Sequence, residues 1–177
     1  MRMLISATVL AAAVSATAFA SLATIQFDAP KGWISKTPSS SMRLAEYTVP
    51  KVAGDSEDAT VTVFFFGATQ GGNVQANIDR WISQMAQPDG KASKDVARTT
   101  TLTSASGLKI TVVDVSGTYV AEVAPGSTER FNKTGFRQLA VYIETPGGPH
   151  FVKLLGPAAT VAKTTDAFTA FLKSARY

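Results

Sequence analysis

Residues Phe64 to Trp81 read FFFGATQGGNVQANIDRW, an apolar run followed by a glycine-rich loop and a helical pattern. That order suits a loop that cradles phosphate, because backbone amides at a helix N-terminus attract anionic oxygens. A Walker loop needs Gly, four residues, Gly, Lys and then Ser or Thr. Counting from Gly67, Gly72 is in register, but Asn73 stands for the lysine and Val74 for the magnesium-binding hydroxyl. The dinucleotide pattern G-x-G-x-x-G is also missing. Nucleotide chemistry is excluded at this loop.

Two readings of the same residues remain. In the structural one, Gly71 and Gly72 supply the turn and Asn73 caps the helix through its side-chain oxygen. In the functional one, a polar stripe binds a small polar or anionic ligand. At about 100° per residue, Asn73, Asn77, Arg80 and Gln84 share a narrow stripe beside the apolar face of Val74, Ile78, Trp81, Ile82 and Met85. The candidate ligand-binding residues are Gln70, Asn73, Asn77, Arg80 and Trp81.

Catalytic constellations are thin elsewhere. Ser39, Ser40 and Ser41 lie in neither a G-x-S-x-G elbow nor an S-x-x-K arrangement. His150 is the sole histidine. A hydrolase would have to combine it with a distant serine and Asp114, or pair carboxylates such as Glu46 and Asp114. Without cysteine or a second histidine, zinc and copper centres lack ligands. Asp55, Glu57 and Asp58 offer hard oxygens for calcium but do not complete a calcium-loop pattern, and a solvated hairpin loop explains them. No catalytic residue, metal ligand or cofactor is expected.

The ends and the charge place the chain. Residues 1–20 combine Arg2, an apolar stretch from Leu4 to Val14 and the small-x-small sequence Ala18-Phe19-Ala20, the pattern of a secretory signal. Ser21-Leu22-Ala23 is a second cleavage site of the same kind. That apolar stretch is shorter than the roughly 20 residues a spanning helix requires. The expectation is a signal peptide at 1–20, then one globular α+β domain at 21–177, periplasmic or secreted, with no stable membrane span after cleavage. The absence of cysteine excludes disulfides and an acylated N-terminal cysteine, so stability must come from a packed core. Net charge is +4 and the basic residues are scattered singly, which argues against nucleic acid as a partner.

Alternation marks strands at Thr24–Asp28, Arg43–Val49, Thr60–Phe66, Leu108–Val120, Gln138–Thr145 and His150–Leu155. Gly117 marks a bulge in the longest of them. In TVTVFFF, Val61, Val63 and Phe65 point one way and Phe64 and Phe66 the other, so this strand needs cover on both faces. Helical period runs from Asn73 to Ala86, and again after Pro157 with Val161, Thr165, Phe168, Leu172 and Ala175 on one stripe.

The phrases SSSMRLAEYTVP, GDSEDATVTVFFFG, GGNVQANIDRWISQM and PGGPHFVKLLGP resemble those of a family of exported bacterial proteins of unknown function. The order of elements is similar to the PsbP/Mog-type fold, named for a photosystem II extrinsic subunit and a nuclear-transport cofactor. This resemblance implies an accessory or binding protein more than an enzyme. The expected fold is a three-layer α/β/α sandwich around a mostly antiparallel sheet; the alternative places both helices on one face. The expected function is a non-catalytic binding or accessory module of the cell envelope, its partner an envelope protein or a small polar ligand. A hydrolase is the remaining alternative.

Overall fold

A computed structural model describes residues 24–68 and 73–177. The expected signal segment and the loop residues Gln70, Gly71 and Gly72 lie outside the described residues. Among those described, eight strands form one antiparallel sheet: β1 (Ile34–Lys36), β2 (Arg43–Val49), β3 (Ala59–Phe65), β4 (Met85–Ala86), β5 (Arg98–Thr103), β6 (Lys109–Tyr119), β7 (Lys133–Ile143) and β8 (His150–Pro157). The order is β1-β2-β3-β8-β7-β6-β4, with β5 also pairing β6. Three helices accompany the sheet: α1 (Val74–Ile82), α2 (Ser93–Val96) and α3 (Ala158–Lys173).

One face of the sheet is dry. Val61 and Val63 of β3 stand beside Leu154 and Val152 of β8, which in turn neighbour Leu139 and Val141 of β7. Helix α3 lays Val161, Phe168, Phe171 and Leu172 on this surface. Phe27 stacks on Phe171 at 4.4 Å, and Trp33 lies 5.3 Å from the same ring. The expected strand at Thr24–Asp28 is reduced to a single bridge between Gln26 and Arg176. Helix α3 begins after Pro157, which provides no side-chain cap. Asp55 supplies one from the β2–β3 loop: its Oδ2 accepts from the Thr160 amide at 2.8 Å and from the Thr160 hydroxyl. A free helix N-terminus is thereby satisfied by a carboxylate, which the helix dipole also favours.

The other face is only partly covered. Helix α1 sets Ile78, Trp81 and Ile82 against Phe151, Ala140 and Val113. It ends at Ile82 rather than reaching Ala86, because Met85 and Ala86 leave the helix and pair with Tyr119 and Thr118 as β4. The bulge expected at Gly117 is present as a register shift between Gly117 and Tyr119. A side chain there would place Cβ 2.5 Å from the Ala86 carbonyl oxygen, so the approach of β4 requires glycine.

The expected three-layer α/β/α sandwich, and the PsbP/Mog-type arrangement behind it, are overturned. Strands make up 39% of the described residues and three short helices 19%. Strands β6 and β7 run 11 residues each, while α1 has 9 and α2 only 4. The alternative with both helices on one face fails too, since α1 and α3 pack against different hydrophobic clusters on opposite sides. The physical reason is side-chain chemistry. Beyond α1 the sheet presents Glu46, Thr60 and Thr62, polar residues that need no cover from a helix layer.

Candidate functional site

The predicted ligand residues do not form one pocket. Asn73 is the helix cap: its Oδ1 accepts from the amides of Gln75 at 2.8 Å and Ala76 at 3.3 Å. Asn77 donates through Nδ2 to the Asn73 carbonyl, and its Oδ1 accepts from Arg80 Nη2 at 3.1 Å. These groups are occupied by the helix itself. Trp81 is 4% exposed, 5.6 Å from the Phe64 ring and 5.7 Å from Phe151, so its indole serves the core. Arg80 alone of the described four reaches solvent with its charge.

The other chemical candidates are also in use. His150 is buried, stacked on Phe65 at 4.5 Å, with Nδ1 3.2 Å from the Gly148 carbonyl and 3.3 Å from the Thr145 hydroxyl. Burial pushes its pKa below the ordinary histidine value, against the pull of the Gly148 carbonyl. Its neighbours include no carboxylate among these contacts. Asp58 accepts from the Lys51 amide at 3.0 Å, and Glu57 pairs with Lys133 at 2.6 Å. With Asp55 on α3, the three acidic residues serve three separate structural bonds. Burial works against the Glu46 carboxylate, but the Ser39 amide and hydroxyl and the Arg43 guanidinium outweigh it and hold its pKa down.

A site emerges on the dry face, along the flank of α3 beside β5. Arg98, Asp114 and Arg137 line both of two adjoining cavities, one of about 580 Å³ and one of about 280 Å³. Cross-strand pairing explains the grouping: Arg98 of β5 sits opposite Asp114 of β6, and Arg137 of β7 sits opposite Ser116, one step diagonal from Asp114. Arg137 donates Nε and Nη2 to the two Asp114 oxygens at 2.8 and 2.6 Å, a bidentate fork. That fork raises the arginine pKa further, against its partial burial. The Arg98 guanidinium forms no ion pair or hydrogen bond with the described residues, and Arg98 is exposed.

The smaller cavity gives this guanidinium an apolar neighbour. Leu102, Val112, Leu139, Phe168 and Leu172 line it beside the hydroxyls of Thr100, Thr165 and Thr169. A cation at the mouth of an apolar slot can hold an anionic head group while the slot takes a hydrocarbon tail. A further cavity of about 480 Å³ lies between α1, β4 and α2, lined by Asp79, Ser83 and Lys94 rather than by the predicted polar stripe.

Arg98, Arg137 and Lys153 are absent from the predicted set. Each left a trace in the sequence. Asp114 interrupts the apolar run of KITVVDV, and a carboxylate in such a strand requires a partner. Lys153 interrupts HFVKLL in the same manner. Arg98 opens a threonine-rich stretch whose strand pairing emerges only from its contact with β6.

No family model matches the sequence. No curated protein matches it either. The chain is similar to the crystal structure of PA94, a protein of unknown function from Pseudomonas aeruginosa, with 12% identity and a TM-score of 0.43 over 73% of this chain and 78% of that one. A likeness at that level carries no functional argument. Among the described residues, no helix is long and apolar enough to cross a membrane.

Proposed function

We propose that this chain is an exported, non-catalytic binding module of the cell envelope whose ligand is a small amphipathic carboxylate. The observation that carries the reading is Arg98: an exposed guanidinium without a partner, on the rim shared by two cavities, beside an apolar slot. The Arg137–Asp114 pair keeps the rim rigid, and its own charges cancel, so Arg98 supplies the net attraction. The signal-like residues 1–20 support export, and the resemblance of the sequence phrases to exported bacterial proteins points the same way. A binding role is favoured over hydrolysis because His150 and Asp114 are engaged separately, by backbone and arginine respectively.

Octanoate is a suitable probe, with one carboxylate and a tail of the slot's character. Titration followed by calorimetry should show saturable binding that Arg98→Ala weakens by about tenfold, the loss of one charge-assisted contact. Equal binding by the wild type and Arg98→Ala, or no saturable binding, overturns the reading.

A further inference from the structure

Strand β5 lies on an outer edge of the sheet, beside the cavities that hold Arg98. It pairs only with β6, in continuous register from Arg98 opposite Asp114 to Thr103 opposite Lys109. In an antiparallel pair, alternate residues turn their amide and carbonyl toward the partner strand and the others turn theirs away. Ser104 donates its amide to the Leu108 carbonyl at 2.9 Å, which sets the phase. Thr100 and Leu102 therefore bond to β6, while Thr99, Thr101 and Thr103 face outward. Among the described residues no backbone group answers these three, and every residue of β5 except Leu102 is exposed.

This edge is unguarded. Natural sheets blunt their edges with a very short strand, a lysine, a proline or a bulge. The opposite edge follows that pattern, since β1 has three residues and ends in Lys36. Strand β5 has six residues, no lysine, no proline and no register shift. On the α3 side its alternate residues Arg98, Thr100 and Leu102 line the smaller cavity together with Phe168 and Leu172. The outward amides and the apolar slot thus run side by side, with the unpaired Arg98 guanidinium where β5 begins.

We propose that the groove between β5 and α3 binds the carboxy-terminal segment of a polypeptide, which adds to β5 as an antiparallel strand. This inference rests on the carboxylate reading above and names the ligand class for that site. Charge decides the direction. An antiparallel strand beside β5 ends next to Arg98, where its terminal carboxylate meets the guanidinium. A parallel strand would bring a cationic amino terminus to the same arginine, which repels it. Backbone bonds to Thr99, Thr101 and Thr103 supply affinity that does not depend on the peptide's sequence. Neighbouring strands lie about 4.8 Å apart, so side chains on the α3 side of the added strand reach over Thr100 into the slot. Every second ligand residue is therefore apolar, to match Leu102, Phe168 and Leu172.

The test uses the full chain and an acetylated tetrapeptide of alternating threonine and leucine that ends in leucine with a free carboxylate. Calorimetric titration should show saturable binding about tenfold tighter than that of octanoate, weakened about tenfold by amidating the peptide's carboxylate or by Arg98→Ala. Thr101→Pro removes an outward amide and keeps the bonds to β6, because a sheet edge accepts proline where the N–H faces solvent. That variant should lose about tenfold toward the peptide and keep wild-type affinity for octanoate. Peptides N-methylated at alternate backbone nitrogens read the same edge from the ligand side. One phase should abolish binding and the other leave it intact, a comparison that stands even where Thr101→Pro does not fold. Octanoate binding without peptide binding overturns this inference and leaves the carboxylate reading in place. Peptide binding that ignores the methylation phase, or that is as tight for the amide as for the free acid, overturns the inference as well. Absence of binding for both probes overturns both readings.

Discussion

The two faces of the sheet solve the same problem with different means. On the α3 face, a 16-residue helix buries Phe168, Phe171 and Leu172 over strands that offer mostly valine, isoleucine and leucine. Its polar chemistry is pushed to one side, where Arg98, Asp114 and Arg137 border the cavities. On the α1 face a 9-residue helix covers Phe151 and Ala140 and stops, leaving Lys153 and its neighbours beside the open sheet. The first face is a core with a site at its margin. The second is a smaller core with charge inside its boundary. Helix entry differs likewise: α1 caps itself through Asn73, whereas α3 borrows Asp55 from a loop distant in sequence.

Core truncations should separate the faces most strongly. Phe171→Ala is expected to cost about 3–5 kcal/mol in urea unfolding and Ile78→Ala about 2 kcal/mol, because the larger ring leaves the larger void. A greater loss at Ile78 would show that the α1 face carries the stability.

The pH response should come chiefly from the α1 face above neutrality. Lys153 has a folded pKa of about 8 against an ordinary value of 10.5. Between these values the unfolded chain binds more protons, so stability rises with pH, by at most ~1.4 kcal/mol per unit. Near pH 10 and above, the buried Tyr119 hydroxyl opposes this, since burial raises its pKa and ionisation then favours unfolding. Lys153→Met should flatten the rise measured by thermal melts from pH 8 to 10. A rise that persists in the variant places its source elsewhere. On the acid side, His150 acts on the α3 face: its lowered pKa means that stability is lost as pH falls below about 6.5, and His150→Gln should reduce that loss.

The caps give a smaller and sharper contrast. Asp55→Ala should cost about 1–2 kcal/mol and Asn73→Ala about 1 kcal/mol, since Asp55 also holds a loop to α3 while Asn73 serves its own helix. Equal amide exchange at the start of α3 with and without Asp55 would remove the distinction. Smallest of all, Arg98→Ala should change stability by less than about 0.5 kcal/mol, as expected of an exposed side chain that pairs with nothing. A large loss there would mean that Arg98 supports the fold rather than a ligand.

Alternation alone located β2, β3, β6 and β8 to within a few residues and the second half of β7, because a strand with a buried face must repeat every second position. It also found the apolar face of α1, the Asn73 cap and the bulge at Gly117. It could not find β4, and it left β5 as no more than a weak strand in the polar stretch Lys91–Gly107. Met85 and Ala86 continue a helical pattern and are drawn into the sheet only by pairing with Tyr119 and Thr118, and Arg98–Thr103 is too polar to announce a strand without β6 beside it. The layering was misjudged for a related reason. Periodicity shows that a helix has an apolar side but not how much of a sheet that side can cover, and Thr60, Thr62 and Lys153 mark where cover ends only once their strands are aligned.

The candidate sites divide along the same line. Local chemistry determined that Asn73 and Val74 cannot serve a nucleotide and that Asn73 would cap a helix, since both statements concern residues adjacent in the chain. The grouping Arg98–Asp114–Arg137 joins residues from three strands. Strand register set it. Electrostatic effects depend on distance in space, so only the tertiary structure could decide which of the scattered charges are paired and which remain free to bind.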